Sequence, residues 1–139
     1  TIENISPDHS HYILNSRINL TFDLNATASG KLFLKYIDEP LREYYLSRME
    51  FFPYTANTIL TREALEAELD TIDQKGYSTE FEEIGLGISC VAVPILKEDN
   101  TLFGTVSIIA SSSVIMSVLD TALEPLHSCA GFIAGNILP

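Results

Sequence analysis

Four features of this chain could carry chemistry. Cys90 stands in the run Ile88-Ser-Cys-Val-Ala-Val-Pro94. A thiol acts as a nucleophile only beside a base or a positive neighbour that stabilises its thiolate. His9, His11 and His127 are the only histidines, and none stands in a recognisable catalytic motif. Val91, Val93 and Ile95 make the segment apolar, so Cys90 reads most simply as a small buried hydrophobe. Glu80, Glu82 and Glu83 form an acidic cluster just past Tyr77. Such a cluster is either a solvated strand edge or a set of acceptors for a ligand hydroxyl. Thr27-Ala-Ser-Gly30 are all small and fall where a helix should begin. A helix start exposes backbone N–H groups and a partial positive charge, which suits a carboxylate or phosphate, and small side chains let a ligand reach them. The same smallness would also serve close helix–sheet packing. Ser107 offers a hydroxyl from a strand, an ordinary place for a serine.

Gly85-Leu-Gly87 is too short to read as a nucleotide-binding loop. No His/Cys/Asp/Glu set has zinc-like spacing. No catalytic residue, metal or cofactor is expected.

Helices and strands must hold these groups. Ile18, Leu20, Phe22 and Leu24 alternate with polar residues, a period-two signal for a half-buried strand; the apolar run His11–Leu14 precedes it, after a turn at Pro7-Asp8. Ala28–Ile37 reads as a helix with Leu32, Phe33, Tyr36 and Ile37 on one face, capped by Thr27 or Asn25. Asp38-Glu-Pro40 opens a second short helix, and Phe51–Tyr54 is a loop. Thr61–Lys75 is the clearest helix: Thr61 caps it, Leu65, Leu69 and Ile72 form its buried stripe, and Gly76 ends it. Tyr77–Phe81, Ile88–Leu96 and Leu102–Ala110 read as strands, the last two joined by a hairpin through Lys97–Thr101. Val114 to about Asn136 reads as a long helix that Pro125 could disturb. Strands, helices, strands and a closing helix give an α+β class with an antiparallel sheet.

The chain has 139 residues, enough for one domain with one core. Its formal net charge is −11, with Lys+Arg 8 against Asp+Glu 19 and the basic residues scattered. That balance argues against nucleic-acid binding by this chain itself. No apolar run reaches the roughly 18 residues a membrane span requires. No signal peptide is visible, and Cys90 and Cys129 read as two buried thiols of a reduced cytoplasmic protein. Thr1 stands without an initiator Met, as expected of an excised domain.

Several of these segments, in order, resemble the effector-binding domain of the IclR family of bacterial transcriptional regulators. They are Asn25-Ala-Thr-Ala-Ser-Gly-Lys31, then Gly76-Tyr77, Glu82-Glu83, Gly87-Ile-Ser-Cys90 and Ala92-Val-Pro94. The resemblance runs from about Ser10 to about Ala130. It implies a GAF-like domain, a curved antiparallel sheet with helices on both sides. It implies that the amides of Ala28 and Ser29 hold an effector's carboxylate, that Glu80 faces the effector, and that Cys90 is a pocket contact and not a nucleophile. The family often offers two serines two residues apart on the last strand. Here Ser107 matches the first and Ile109 stands at the second, which suggests a ligand with an apolar portion or a differently shaped pocket. Asn25 stands where histidine is common.

The resemblance further implies a separate N-terminal winged helix-turn-helix domain, absent from this chain, through which alone DNA would be bound. It also implies assembly as a homodimer or homotetramer. The expected function is sensing of a small organic acid, of the keto-acid or sugar-acid type. The rival readings are a small cysteine-dependent enzyme using Cys90 with an acid or His127, and an oligomerisation module with a degenerate pocket.

Overall fold

The structure, a computed structural model, describes residues 23–137. The expected strands before Asp23 lie outside the described residues; Leu24, expected at the end of the second, is in a turn. Four helices and three strands follow: α1 (Ala28–Tyr36), α2 (Glu39–Leu46), α3 (Arg62–Lys75), β1 (Ser78–Phe81), β2 (Ile88–Leu96), β3 (Leu102–Ser111) and α4 (Ser112–Ile137). The strands form one antiparallel sheet in the order β1-β2-β3. The α+β class expected from the order of elements is the class observed.

Alternation along β2 builds two cores. Val91, Val93 and Ile95 point to one face and pack with Ile115, Leu126 and Ala130 of α4. Ala92 points to the other, into a cluster with Ala28, Leu32 and Leu34 of α1, Leu46 of α2, and Leu65, Leu69 and Ile72 of α3. Helices therefore cover both faces, and burying each such Leu or Ile contributes about 1.5–3 kcal/mol.

Local signals explain the helix ends. Thr27 accepts from the Gly30 amide at 3.0 Å and Thr61 from the Ala64 amide at 3.2 Å, each satisfying an orphan donor of a helix start. Gly76 closes α3 at φ 73°, a left-handed conformation that glycine adopts without a Cβ penalty. The α4 helix runs unbroken through Pro125. Pro125 and Thr121, four residues back, are both exposed, so the bond proline cannot make is lost on the solvent side. Among the described residues no helix is long and apolar enough to cross a membrane.

The expected stripe of α1 is too narrow. Leu34 is fully buried and Lys31 is only 1% exposed, because the sheet lies on one side of α1 and α3 on the other. Lys35 pairs with Asp73 of α3 at 2.8 Å, and Arg62 of α3 donates to both carboxylate oxygens of Glu43 in α2 at 3.0 and 2.6 Å. The expectation of two buried thiols fails for Cys129, which is exposed. It sits just off the stripe Leu126–Ala130–Ile133 that α4 lays on the sheet.

Candidate functional site

Strand register gathers four of the expected site residues. Glu80 is the cross-strand partner of Cys90, and Cys90 of Ile109, so the three form one row on the α1 face of the sheet. The next row on that face is Ser78, Ala92 and Ser107. The row beyond is Pro94 and Thr105. Ser29 meets that last row, its hydroxyl 2.9 Å from the Thr105 hydroxyl. The start of α1 is thus pinned to β3, with the Cys90 row extending past it as a floor. Ser107 and Ile109 are exposed on this floor, Cys90 is half-buried and Glu80 is buried.

Ala28 enters the site through its backbone only. Its methyl is in the core with Leu32 and Ala92. Gly30 lets α1 start so close to the preceding turn. A Cβ there would lie 2.5 Å from the Leu24 carbonyl oxygen and 2.7 Å from Leu24 Cα.

The acidic cluster is not a solvated strand edge. Glu80 and Glu83 are 5% and 7% exposed. Glu80 Oε1 accepts from the amides of Glu83 at 2.6 Å and Ile84 at 3.4 Å. Glu83 Oε1 accepts from Lys31 Nζ at 2.5 Å, and Lys31 also donates to the Thr79 carbonyl at 3.0 Å. Glu82 Oε1 accepts from the Gly87 amide at 3.0 Å. Burial pushes the Glu80 carboxyl above its usual value, against the pull of the two amides and Lys31. Burial raises Glu83 as well, opposed by Lys31. Lys31, the buried counter-charge, was missed in the sequence, although it closes the segment Asn25–Lys31.

Asn25 donates its amide to the Ile59 carbonyl at 2.9 Å, leaving the capping role to Thr27. Among the described residues Asn25 Oδ1, Ser78 Oγ and Glu83 Oε2 are buried without a partner. A cleft of about 270 Å³ opens elsewhere, between α2 and the turn before α1, with Tyr44, Tyr45, Arg48 and Met49 in its walls. It shares no residue with the floor.

The geometry leaves Cys90 without the means of a nucleophile. Burial first, and the Glu80 charge second, push its thiol up to about 12, and a hydrogen bond with Ser107 lowers it only in part. His127 lies on α4, which packs on the opposite face of the sheet, and its ring is beside Gly76. It cannot serve Cys90 as a base. Among the described residues no group of acidic, His or Cys side chains could hold a metal ion. What remains is a one-sided floor of thiol, hydroxyl and aliphatic side chain, walled by a buried acid and faced by a helix start.

The family model described as the bacterial transcriptional regulator IclR C-terminal matches residues 1–134. The HTH-type transcriptional regulator KdgR of Dickeya chrysanthemi is 36% identical over 93 residues, covering 67% of this chain and 30% of that protein. The DNA-binding transcriptional repressor YiaJ of Escherichia coli is 32% identical over 117 residues, covering 82% of this chain and 42% of its own. The solved C-terminal domain of E. coli KdgR has a TM-score of 0.74 at 29% identity, covering 81% of this chain and 69% of that one. For Thermotoga maritima IclR the TM-score is 0.77 at 30% identity, over 94% of this chain and 54% of that one. The chain therefore spans well under half the length of the curated relatives it matches.

Proposed function

This chain belongs to the IclR family of bacterial transcriptional regulators, as the C-terminal effector-binding domain and not an enzyme, and we propose that its effector is a small organic acid of the keto-acid or sugar-acid type. The effector lies on the Cys90 floor with its carboxylate at the amides of Ala28 and Ser29. Ser107 and Cys90 offer polar contacts, Ile109 an apolar one, and Glu80 forms the acidic wall. The observation that carries this reading is the register: Glu80, Cys90, Ser107 and Ile109 share one face, and the Ser29–Thr105 contact holds the helix start against that face. A second acidic group on the ligand would be repelled by Glu80, so monoacids are favoured over diacids.

DNA binding belongs to a winged helix-turn-helix domain outside this chain, in keeping with the net charge of −11. A gel shift of this chain at low salt, where electrostatic binding is strongest, should show no discrete complex with a promoter fragment. The working form is a cytoplasmic homodimer or homotetramer. Effector binding acts on that assembly by favouring one of its arrangements over another. The test of the effector class is a thermal-shift screen against monocarboxylic hydroxy and oxo acids, with their amides and diacid counterparts as controls. A ligand of the folded state raises its stability, so the acids should raise the melting temperature and the amides should not. Equal shifts from acid and amide would remove the carboxylate from the account.

A further inference from the structure

The turn between β1 and β2 is held from inside the site. Glu82 has φ 55°, a left-handed conformation uncommon for a residue with a side chain. Such a turn persists only where its surroundings over-determine it. Here the Glu82 carbonyl accepts from the Thr55 hydroxyl and the Glu83 carbonyl from the Thr58 hydroxyl, each at 2.6 Å. The Glu83 carboxylate takes Lys31, and the Glu83 amide donates to Glu80. The carbonyl, the amide and one carboxylate oxygen of Glu83 are thus engaged, and the amide contact comes from the acid in the wall of the site.

We propose that Glu80 is a positioning residue: its carboxylate holds the Glu82–Gly87 turn on the sheet and so seats Glu83 on Lys31, making the floor of the site and the turn one mechanical unit. The inference rests on the reading of the site given above. A ligand that places a donor on Glu80 draws on the same carboxylate that secures the turn. Occupancy of the floor is then felt at the turn and, through Thr55 and Thr58, in the loop before α3. Glutamate has the reach for this, since its Oε1 contacts amides three and four residues on.

The test is amide hydrogen exchange on the ligand-free chain as wild type, Glu80→Ala and Glu80→Gln. Exchange at the amides of Glu83 and Ile84 should rise at least tenfold in Glu80→Ala, with the 55–58 segment following and the β2–β3 ladder unchanged. Glu80→Gln keeps an acceptor oxygen at Oε1 and should restore most of the protection. Unchanged exchange in Glu80→Ala overturns the proposal. So does a Glu80→Gln variant that exchanges as fast as Glu80→Ala, because an acceptor oxygen would then not be what holds the turn. A rise spread evenly over all three strands also overturns it, since Glu80 would then serve general stability. The readout needs no effector, so its failure is separate from failure of the effector assignment.

Discussion

Lys31 and Glu83, far apart in the chain, meet at 2.5 Å with side chains 1% and 10% exposed. The pair joins α1 to the turn after β1 in a place water hardly reaches. Removing one partner from such a pair costs about 3–5 kcal/mol, because the other charge is left buried and unpaired. Lys31→Met should lose stability on that scale in urea unfolding. The double variant Lys31→Met, Glu83→Gln should recover much of it. A double variant as weak as the single one would show that the lost packing of Lys31, and not the stranded charge, dominates.

Gly30 predicts a backbone clash. An added methyl would sit 2.5 Å from the Leu24 carbonyl oxygen. Alanine ordinarily gains up to ~1 kcal/mol over glycine inside a helix, but overpacking costs about 1–3 kcal/mol. Gly30→Ala should therefore be a net destabilisation, read as a lower urea midpoint at unchanged slope. A higher midpoint would contradict the close approach of α1 to the turn at Leu24.

The two thiols should separate by reactivity. Cys129 is exposed and Cys90 has its thiol pushed up to about 12, mainly by burial. Near neutral pH one thiol should label quickly and the second slowly. Cys129→Ala should remove the fast phase alone. A fast phase that persists in Cys129→Ala would reveal an activated Cys90 thiolate and return the enzyme reading.

The buried acids set a pH dependence. Glu80 and Glu83 are both raised above 4.5, so the folded chain holds these protons more tightly than the unfolded one. Their contribution is greatest below that ordinary value and falls as pH rises through the raised folded values. Around Glu80 stand Lys31 from α1, Cys90 from β2, and Glu82 and Glu83 from the turn. Glu80→Gln cannot ionise. Its melting temperature relative to wild type should improve as pH is raised through the weakly acid range, and parallel curves would contradict the shift.

Much of this architecture was legible in the sequence. The apolar run Ile88–Leu96 assigned β2 to its residue bounds, and Thr61 with Gly76 bracketed α3. The row Glu80–Cys90–Ile109 was not legible, because cross-strand partners depend on register and not on spacing along the chain. Lys31 was missed for a related reason. A lysine inside an amphipathic pattern normally faces water, and only the arrival of Glu83 from 52 residues away makes its burial tolerable. The acidic cluster offered two readings; burial of Glu80 and Glu83 removed the solvated one for both. The position of His127 on the far side of the sheet needed the topology of α4.

The central claim is that a monocarboxylic acid lies on the Cys90 floor at the start of α1. Calorimetric titration of wild type and Ile109→Glu, using the acid that gives the largest thermal shift, tests it most directly. Ile109 is 39% exposed, so the substitution leaves the core intact and adds a negative charge to the floor. The account predicts one site per chain in wild type and at least tenfold weaker binding in the variant, about 1.4 kcal/mol or more. Equal affinity in the two proteins, or no acid that raises the wild-type melting temperature, would contradict it.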